Sequence, residues 1–291
     1  MEINDVTGLG KLSKPIDTFL KKLATGAGVL IEPHMTKKNA KAQAEAAKIA
    51  AESKVQVDII LSEGANDLQQ RAVRRFVHKE TRKQENIEAI AIPVLEQLPE
   101  YSDVDNLEED WVANFFNKCE NISDEKMQTL WSRILLREAT KSGTISKRAL
   151  EITSTLDKKD AELFTNFGQF VWMAHQATPM VMNIEDEIYN NEGINFQTLN
   201  HLDAIGLIKF DPHQNLHLLN IKKSVLLTYY NKEVILTFDN DKENQLAIGK
   251  AWFTQAGAEL FEICGSSENK DYFSMILDKW NKGPMVVTVL P

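Results

Sequence analysis

The stretch FQTLNHLDAIGLIKF, Phe196–Phe210, is where the chain changes character. Phe196–Ile205 reads as a helix and Gly206 ends it, because glycine readily takes the left-handed conformation that closes helices. Leu207–Phe210 then begins a strand-like run. Further runs of that kind follow at Leu216–Asn220, Val225–Tyr230 and Val234–Phe238, separated by the turn-forming residues 211–215 (DPHQN) and 239–244 (DNDKEN). Thr254–Ile263 and Tyr272–Trp280 return to helical spacing, and Met285–Leu290 reads as an edge strand. From Met180 onward, short β runs therefore alternate with short helices.

Upstream of this region the periodicity is helical throughout. Residues 12–31 form an amphipathic pattern whose apolar side includes Leu12, Ile16, Phe19, Leu20 and Leu23, with Ser13 placed to cap it and Pro15 in the first turn. Residues 36–63 predict an alanine-rich helix, since alanine has the highest helix propensity. Its stripe of small side chains suits close approach to another helix better than burial on a broad core. After the break at Gly64–Asp67, a third helix runs from Leu68 towards Leu98 and is polar all round from His78 to Glu85. Pro93 and Pro99 lie between its basic stretch and the acids that follow. Ser123 is expected to cap a helix buried through Met127, Leu130, Trp131, Ile134 and Leu135. A helix with Leu150, Ile152 and Leu156 follows. The next begins at Asp157 and faces inward with Leu163, Phe164, Phe167, Phe170 and Val171.

The fold class expected from these patterns is mainly α with a C-terminal α+β module. It divides into an N-terminal amphipathic helix (1–33), a helical hairpin or stalk (34–100), a helical core (101–178) and the α+β module (179–291). The order helix, Gly206, strands, then the FTQAG helix suggests a winged-helix-like arrangement in that module.

Charge is segregated along the chain. The net charge is −9, which opposes wholesale attraction to nucleic acid. Yet Arg71, Arg74, Arg75, Lys79, Arg82 and Lys83 fall within residues 71–83 with Glu80 as the one acid, while residues 100–110 hold six acids and no base. These two blocks are expected to pair, within the chain or between copies of it. The two cysteines, Cys119 and Cys264, make no disulfide framework and read as buried thiols of a cytoplasmic protein. No signal-peptide layout or membrane-spanning run is apparent.

No group of residues announces chemistry. His213 and His217 stand four apart but in a turn-and-strand context, and no HExxH or cysteine pair accompanies them or His201. The acids Glu108–Asp110 and Glu185–Glu187 read as helix-start residues that complement the helix dipole. Phosphate loops and nucleophile elbows are absent. No catalytic, cofactor-binding or metal-binding residue is therefore assigned, and no cofactor is expected.

Three segments carry a resemblance: LIEPHMTKKNAKAQAEA (Leu30–Ala46), residues Met127–Phe164, and HLDAIGLI (His201–Ile208) with FTQAGAELFEICG (Phe253–Gly265). Together they resemble a bacterial domain-of-unknown-function family. The segment LWSRILL (Leu130–Leu136) also resembles the helical region of the abortive-infection protein alpha family, which implies a role in defence against phage. The function expected from all of this is non-enzymatic: a self-assembling protein that contacts protein partners. Two alternatives stand beside it. One is a membrane-associating effector using the Leu12–Leu23 face at the inner membrane. The other is a DNA-binding regulator using the C-terminal module, disfavoured because Phe196–Ile205 offers Gln197, Asn200, His201 and Asp203 but no Arg or Lys.

Overall fold

The structure is a computed structural model that describes residues 13–29, 31 and 67–291. The expected alanine-rich helix at 36–63, together with Leu12 and Leu30, lies outside the described residues. The chain divides into two compact units, Met1–Thr144 and Ile145–Pro291.

The first unit is helical. Helix α1 spans Lys14–Ala27; Ser13 occupies its N-cap with extended backbone but its side chain makes no capping hydrogen bond, and Gly28 closes the helix at φ 65°. Helix α2 spans Asp67–Gln97 and continues through Pro93. The helix stops at Gln97, just before Pro99, and the Gln97 side-chain amide donates to the Pro93 carbonyl over 3.1 Å. Helices α3, Glu109–Cys119, and α4, Glu125–Thr140, complete the unit. The cap of α4 is Asp124, not Ser123: its carboxylate accepts from the backbone N–H of Lys126 at 3.0 Å and of Met127 at 3.2 Å. An ionised side chain there satisfies orphan amides and complements the helix dipole at once.

The core of this unit is built from Phe19 and Leu23 of α1, Ile87, Ile90 and Val94 of α2, Trp111, Phe115 and Phe116 of α3, and Trp131, Ile134 and Leu135 of α4. Phe115 is stacked on Trp111 with ring centres 5.3 Å apart and meets Trp131 edge-on at 5.2 Å. Close approach of α1 to α3 depends on Gly26, where an added Cβ would lie 3.0 Å from both the Glu109 carbonyl and the Val112 Cβ. Polar stitches hold α2 to α4: Ser132 Oγ donates to the Ile90 carbonyl at 2.8 Å, and the Gln128 amide donates to Asn86 Oδ1 at 3.2 Å. The buried Glu138 carboxylate accepts from the Gly143 N–H at 2.6 Å and the Thr144 N–H at 3.0 Å, fixing the loop after α4.

The second unit opens with α5, Lys147–Thr155, and α6, Lys158–Phe167. Both pack on a later helix, α9 (Gln255–Cys264), so these helices belong with the strands and the division falls earlier than 178/179. Strands β1 (Val171–Met173) and β2 (Ala177–Pro179) follow. Val171 is thus in a strand, not on the α6 face where helical spacing would put it. After Phe167 a 3-10 turn, Gly168–Phe170, leads into β1, and at Gly168 an added Cβ would lie 2.7 Å from the Ser266 Cβ. Helices α7 (Glu187–Asn190) and α8 (Phe196–Ala204) lead into β3 (Ile208–Phe210), with Gly206 at φ 83° as the turn. Strands β4 (Leu216–Ile221), β5 (Ser224–Tyr229), β6 (Lys232–Phe238), β7 (Asn244–Gly249) and β8 (Ala251–Phe253) come next. After α9, helix α10 (Lys270–Asn281) and strand β9 (Met285–Val289) close the unit.

The strands form a five-stranded antiparallel sheet, order β2-β1-β5-β6-β9, and two antiparallel pairs, β3-β8 and β4-β7. Aromatic side chains fill the space between the sheet and α10. Trp172 meets Trp280 at 4.8 Å and Tyr229 at 5.0 Å, and its indole N–H donates to the Tyr272 hydroxyl at 3.2 Å. Tyr272 in turn donates to the Met180 carbonyl at 2.9 Å. Each buried hydroxyl is hydrogen-bonded, as burial requires.

Candidate interaction surfaces

Helix α2 has two unlike halves. Its buried residues are Asn86, Ile87, Ile90, Ala91 and Val94, and none of residues 67–85 is buried. At ~1.5 Å per residue this exposed half is roughly 28 Å long. It carries the basic residues expected to form a surface. Arg71, Arg74, Arg75, Lys79 and Arg82 are all exposed. Arg71 pairs with Asp67 one turn away. Lys83 is drawn inward, pairing with Glu120 at 2.8 Å and Glu80 at 3.5 Å. The hydrogen bond to Glu120, and then the charges of Glu120 and Glu80, hold its ammonium above the ordinary lysine pKa against the opposing effect of desolvation. Among the described residues, no ion pair engages Arg74, Arg75, Lys79 or Arg82. The same half exposes large apolar groups: Leu68 is 67% and Phe76 64% exposed, with Val77 beside them.

The acidic block occupies the turn before α3 and the first turn of α3. Glu100, Asp105, Glu108, Glu109 and Asp110 are exposed, and Tyr101 among them is 84% exposed. Among the described residues no ion pair joins this block to the cations of α2. The exposure of Tyr101 and Phe76 went unread in the sequence; the one signal was an aromatic residue inside a run of like charge.

The apolar face of α1 points inward. Phe19 and Leu23 are fully buried, and Ile16 and Leu20 are half-buried. Their packing partner is α3. Any use of this face at a membrane would first have to strip it from that core.

In the second unit, α8 presents Phe196, Gln197, Asn200 and His201 to solvent. His201 Nε2 lies 2.6 Å from Asp160, and Asp203 pairs with Lys209 at 2.9 Å while accepting from the Phe210 N–H at 3.0 Å. Two of the four polar groups noted on this helix are thus engaged with neighbouring acid or base. Next to it, Lys209 of β3 pairs with Trp252 of β8, whose indole is exposed. His213 lies in the turn capped by Asp211 and His217 on β4. Among the described residues, no group of three or more His, Cys, Asp or Glu is placed to hold a metal ion, and no helix is long and apolar enough to cross a membrane. Cys119 is buried, and burial pushes its thiol pKa well up, away from a reactive thiolate. A cleft of about 370 Å³ lies between α2 and α4, lined by Ala89, Pro93, Gln97, Glu125, Thr129 and Arg133 among others, with no histidine or cysteine in its wall.

Comparison with known proteins matches residues 70–277 to the family model described as Protein of unknown function (DUF2806). No curated protein and no solved structure matches the chain. Nothing found supports the likeness of Leu130–Leu136 to the abortive-infection protein alpha family. The matched span runs from the exposed half of α2 to α10 and takes in both units. On that coverage, the chain belongs to the DUF2806 family.

Proposed function

We propose that this protein is a non-enzymatic, self-assembling interaction protein, and that the exposed half of α2 docks on the acidic block of another copy. The observation that carries this reading is a helix half with no buried residue that holds exposed Leu68 and Phe76 together with Arg74, Arg75, Lys79 and Arg82, which lack ion pairs among the described residues. Large apolar groups on a solvated surface mark contact sites when they cluster. The acidic block offers the complementary charge and its own exposed aromatic, Tyr101. The two patches differ, so this contact is heterologous: one copy's helix on the next copy's acids.

Light scattering coupled to size exclusion tests the reading. At low ionic strength the mass exceeds that of the 33.0 kDa chain and falls as salt is raised, since the Debye length shrinks from ~10 Å at ~0.1 M to ~3 Å at ~1 M. The double substitution Arg74→Glu, Arg75→Glu lowers the mass at low salt. Adding Asp105→Lys and Glu108→Lys to the same chain restores it. A mass indifferent both to salt and to Arg74→Glu, Arg75→Glu overturns the reading.

The second unit supports a finer proposal. Helix α8, Gly206, the β3–β8 pair and α9 make a winged-helix-like element that contacts protein. The exposed Trp252 and Phe196 favour a protein surface, and the exposed face of α8 has no Arg or Lys to position on phosphates. Phe196→Ser with Trp252→Ser abolishes capture of the protein partner while leaving the thermal transition of the unit in place. Tight, steeply salt-dependent binding to duplex DNA would contradict it.

A further inference from the structure

Strand β9 ends the five-stranded sheet, and the way it pairs with β6 fixes which of its backbone groups are free. The register is Val234↔Val289, Ile235↔Thr288, Leu236↔Val287, Thr237↔Val286 and Phe238↔Met285, without a bulge. Just beyond it, the Leu290 N–H donates to the Glu233 carbonyl at 2.9 Å. In an antiparallel ladder the hydrogen-bonded residues alternate. Leu290, Thr288 and Val286 therefore turn their backbone groups towards β6. Met285, Val287 and Val289 turn theirs outward. Among the described residues, no strand lies beyond β9 and nothing accepts from or donates to those three.

Exposed sheet edges invite pairing, and proteins blunt them with lysine, proline, bulges or shortness. The opposite edge of this sheet does so: β2 has three residues and ends in Pro179. Strand β9 uses none of these devices. MVVTV contains no charge and no proline, its pairing is regular, and Pro284 and Pro291 stand outside it. Val286 is 64% exposed and lies on the outer face of the sheet with Ile235 and the exposed Leu226.

We propose that β9 pairs antiparallel with β9 of a second copy about a two-fold axis at Val287, joining two five-stranded sheets into one. The free groups are self-complementary in this register. Val287 faces its own equivalent, and Met285 faces Val289 on both sides of the axis. All three outward residues then meet outward residues, giving six backbone hydrogen bonds. Charge argues for the same occupant. A chain with net charge −9 repels its copy over most of its surface, and a strand facing itself sets any charge near the axis against its like. The segment from Gly283 to Pro291 carries no charged side chain, so two copies meet here without that cost. On the outer face, Val286 comes opposite Thr288 of the other copy and extends the apolar row across the axis. This surface is independent of α2, and its uncharged character sets it apart: the contact survives salt.

The test uses the full chain at ~1 M NaCl, where a Debye length of about 3 Å silences charge-driven assembly. Sedimentation at high micromolar concentration is expected to give twice the 33.0 kDa chain mass. Val287→Pro removes the central outward N–H and no bond to β6, because proline is tolerated on an edge strand where its nitrogen faces solvent. It shifts the dissociation constant at least tenfold towards monomer with the thermal transition unchanged, and exchange protection of the Met285 and Val289 amides is lost with it. Val286→Lys also weakens the dimer. On the Arg74→Glu, Arg75→Glu background at ~0.1 M NaCl, where opposed charges still attract and the α2 contact is disabled, adding Thr288→Glu restores it, because the register sets the new lysine opposite the new glutamate in both halves; this pair decides the matter should the proline variant fail to fold. A monomer at ~1 M NaCl overturns the proposal. So does a dimer that Val287→Pro leaves intact, or a wild-type monomer whose Met285, Val287 and Val289 amides are nonetheless protected, which would mean the chain covers its own edge.

Discussion

Replacing Gly257 by alanine tests the join between α9 and the α8–β3 turn, and two physical arguments give opposite signs for it. Gly257 lies inside α9, not at a left-handed position, so helix propensity alone predicts that Gly257→Ala stabilises by about 1 kcal/mol. Packing predicts the reverse. An added Cβ would lie 1.8 Å from the Leu207 carbonyl oxygen and 3.2 Å from Phe253 Cδ1. Ordinary contact needs about 3.4 Å, so α9 and the start of β3 must part by roughly 1.5 Å. That carbonyl is not free to move. It accepts the Thr254 N–H at 3.2 Å, while the Thr254 hydroxyl, which caps α9 through the Gly257 N–H at 3.0 Å, donates to the Gly206 carbonyl at 2.7 Å. Overpacking costs about 1–3 kcal/mol. A lost hydrogen bond adds about 1 kcal/mol. After subtracting the propensity gain, the expected net loss is about 1–3 kcal/mol. For a unit of this size that lowers the calorimetric transition by about 3–10 °C. The comparison is Gly193→Ala, where φ is 75° and nothing lies within 4 Å of the added atom, so only backbone strain of about 1 kcal/mol applies. A Gly257→Ala protein as stable as wild type, or less affected than Gly193→Ala, would refute the close approach of α9 to Leu207.

Three other outcomes follow from buried and paired groups. Glu138→Ala leaves the Gly143 and Thr144 amides without their acceptor and lowers the urea-unfolding free energy of the first unit by about 2–3 kcal/mol; a loss within error of zero would show the carboxylate idle. In a thiol-titration assay on folded protein, the half-buried Cys264 reacts first and Cys119 only on unfolding; equal rates would contradict the burial of Cys119. The hydrogen bond from Lys232, ahead of the charges of Lys232 and Lys270, holds the Glu268 carboxyl below its ordinary pKa against desolvation. A lowered carboxylate contributes stability above its unfolded pKa and loses it as pH falls through the folded value. Glu268→Gln should therefore flatten the acid limb of the stability profile, and an unchanged acid limb would show that the pair contributes nothing.

What the sequence made legible depended on how local its cause was. Helices α3, α4, α8, α9 and α10 follow from apolar spacing and capping residues within one or two turns, and β9 from a β-branched run between prolines. Strands β1 and β2 were missed because three residues each give no alternation to read, and Phe164, Phe167, Phe170 and Val171 continue a helical stripe. Their strands are set by the pairings Val171↔Pro179 and Met173↔Thr228, which are tertiary facts. The helix read from Leu68 towards Leu98 does run through Pro93, to Gln97. The surfaces divide similarly. The cations of α2 could be read as a charged run, but that Arg74, Arg75, Lys79 and Arg82 have no ion pair among the described residues could not. The face of α1 was evidently apolar, and its packing on α3 decides that Phe19 and Leu23 are core.

The two proposed contacts differ in symmetry, and that difference sets what they build together. Helix α2 on the acidic block is heterologous: each copy keeps one unused helix and one unused block, so addition continues until a ring closes. Strand β9 on β9 is isologous and consumes its surface in a single pairing. The first is charge-driven and fades over the ~3 Å Debye length of strong salt, whereas backbone hydrogen bonds between uncharged strands do not. Raising salt should therefore reduce the assembly to dimers and stop there. Val287→Pro should do the converse at low salt, leaving head-to-tail chains of single copies in place of chains cross-linked in pairs. A protein whose mass falls straight to 33.0 kDa with salt has only the α2 contact, and one whose mass stays at twice that value in all salts has only β9.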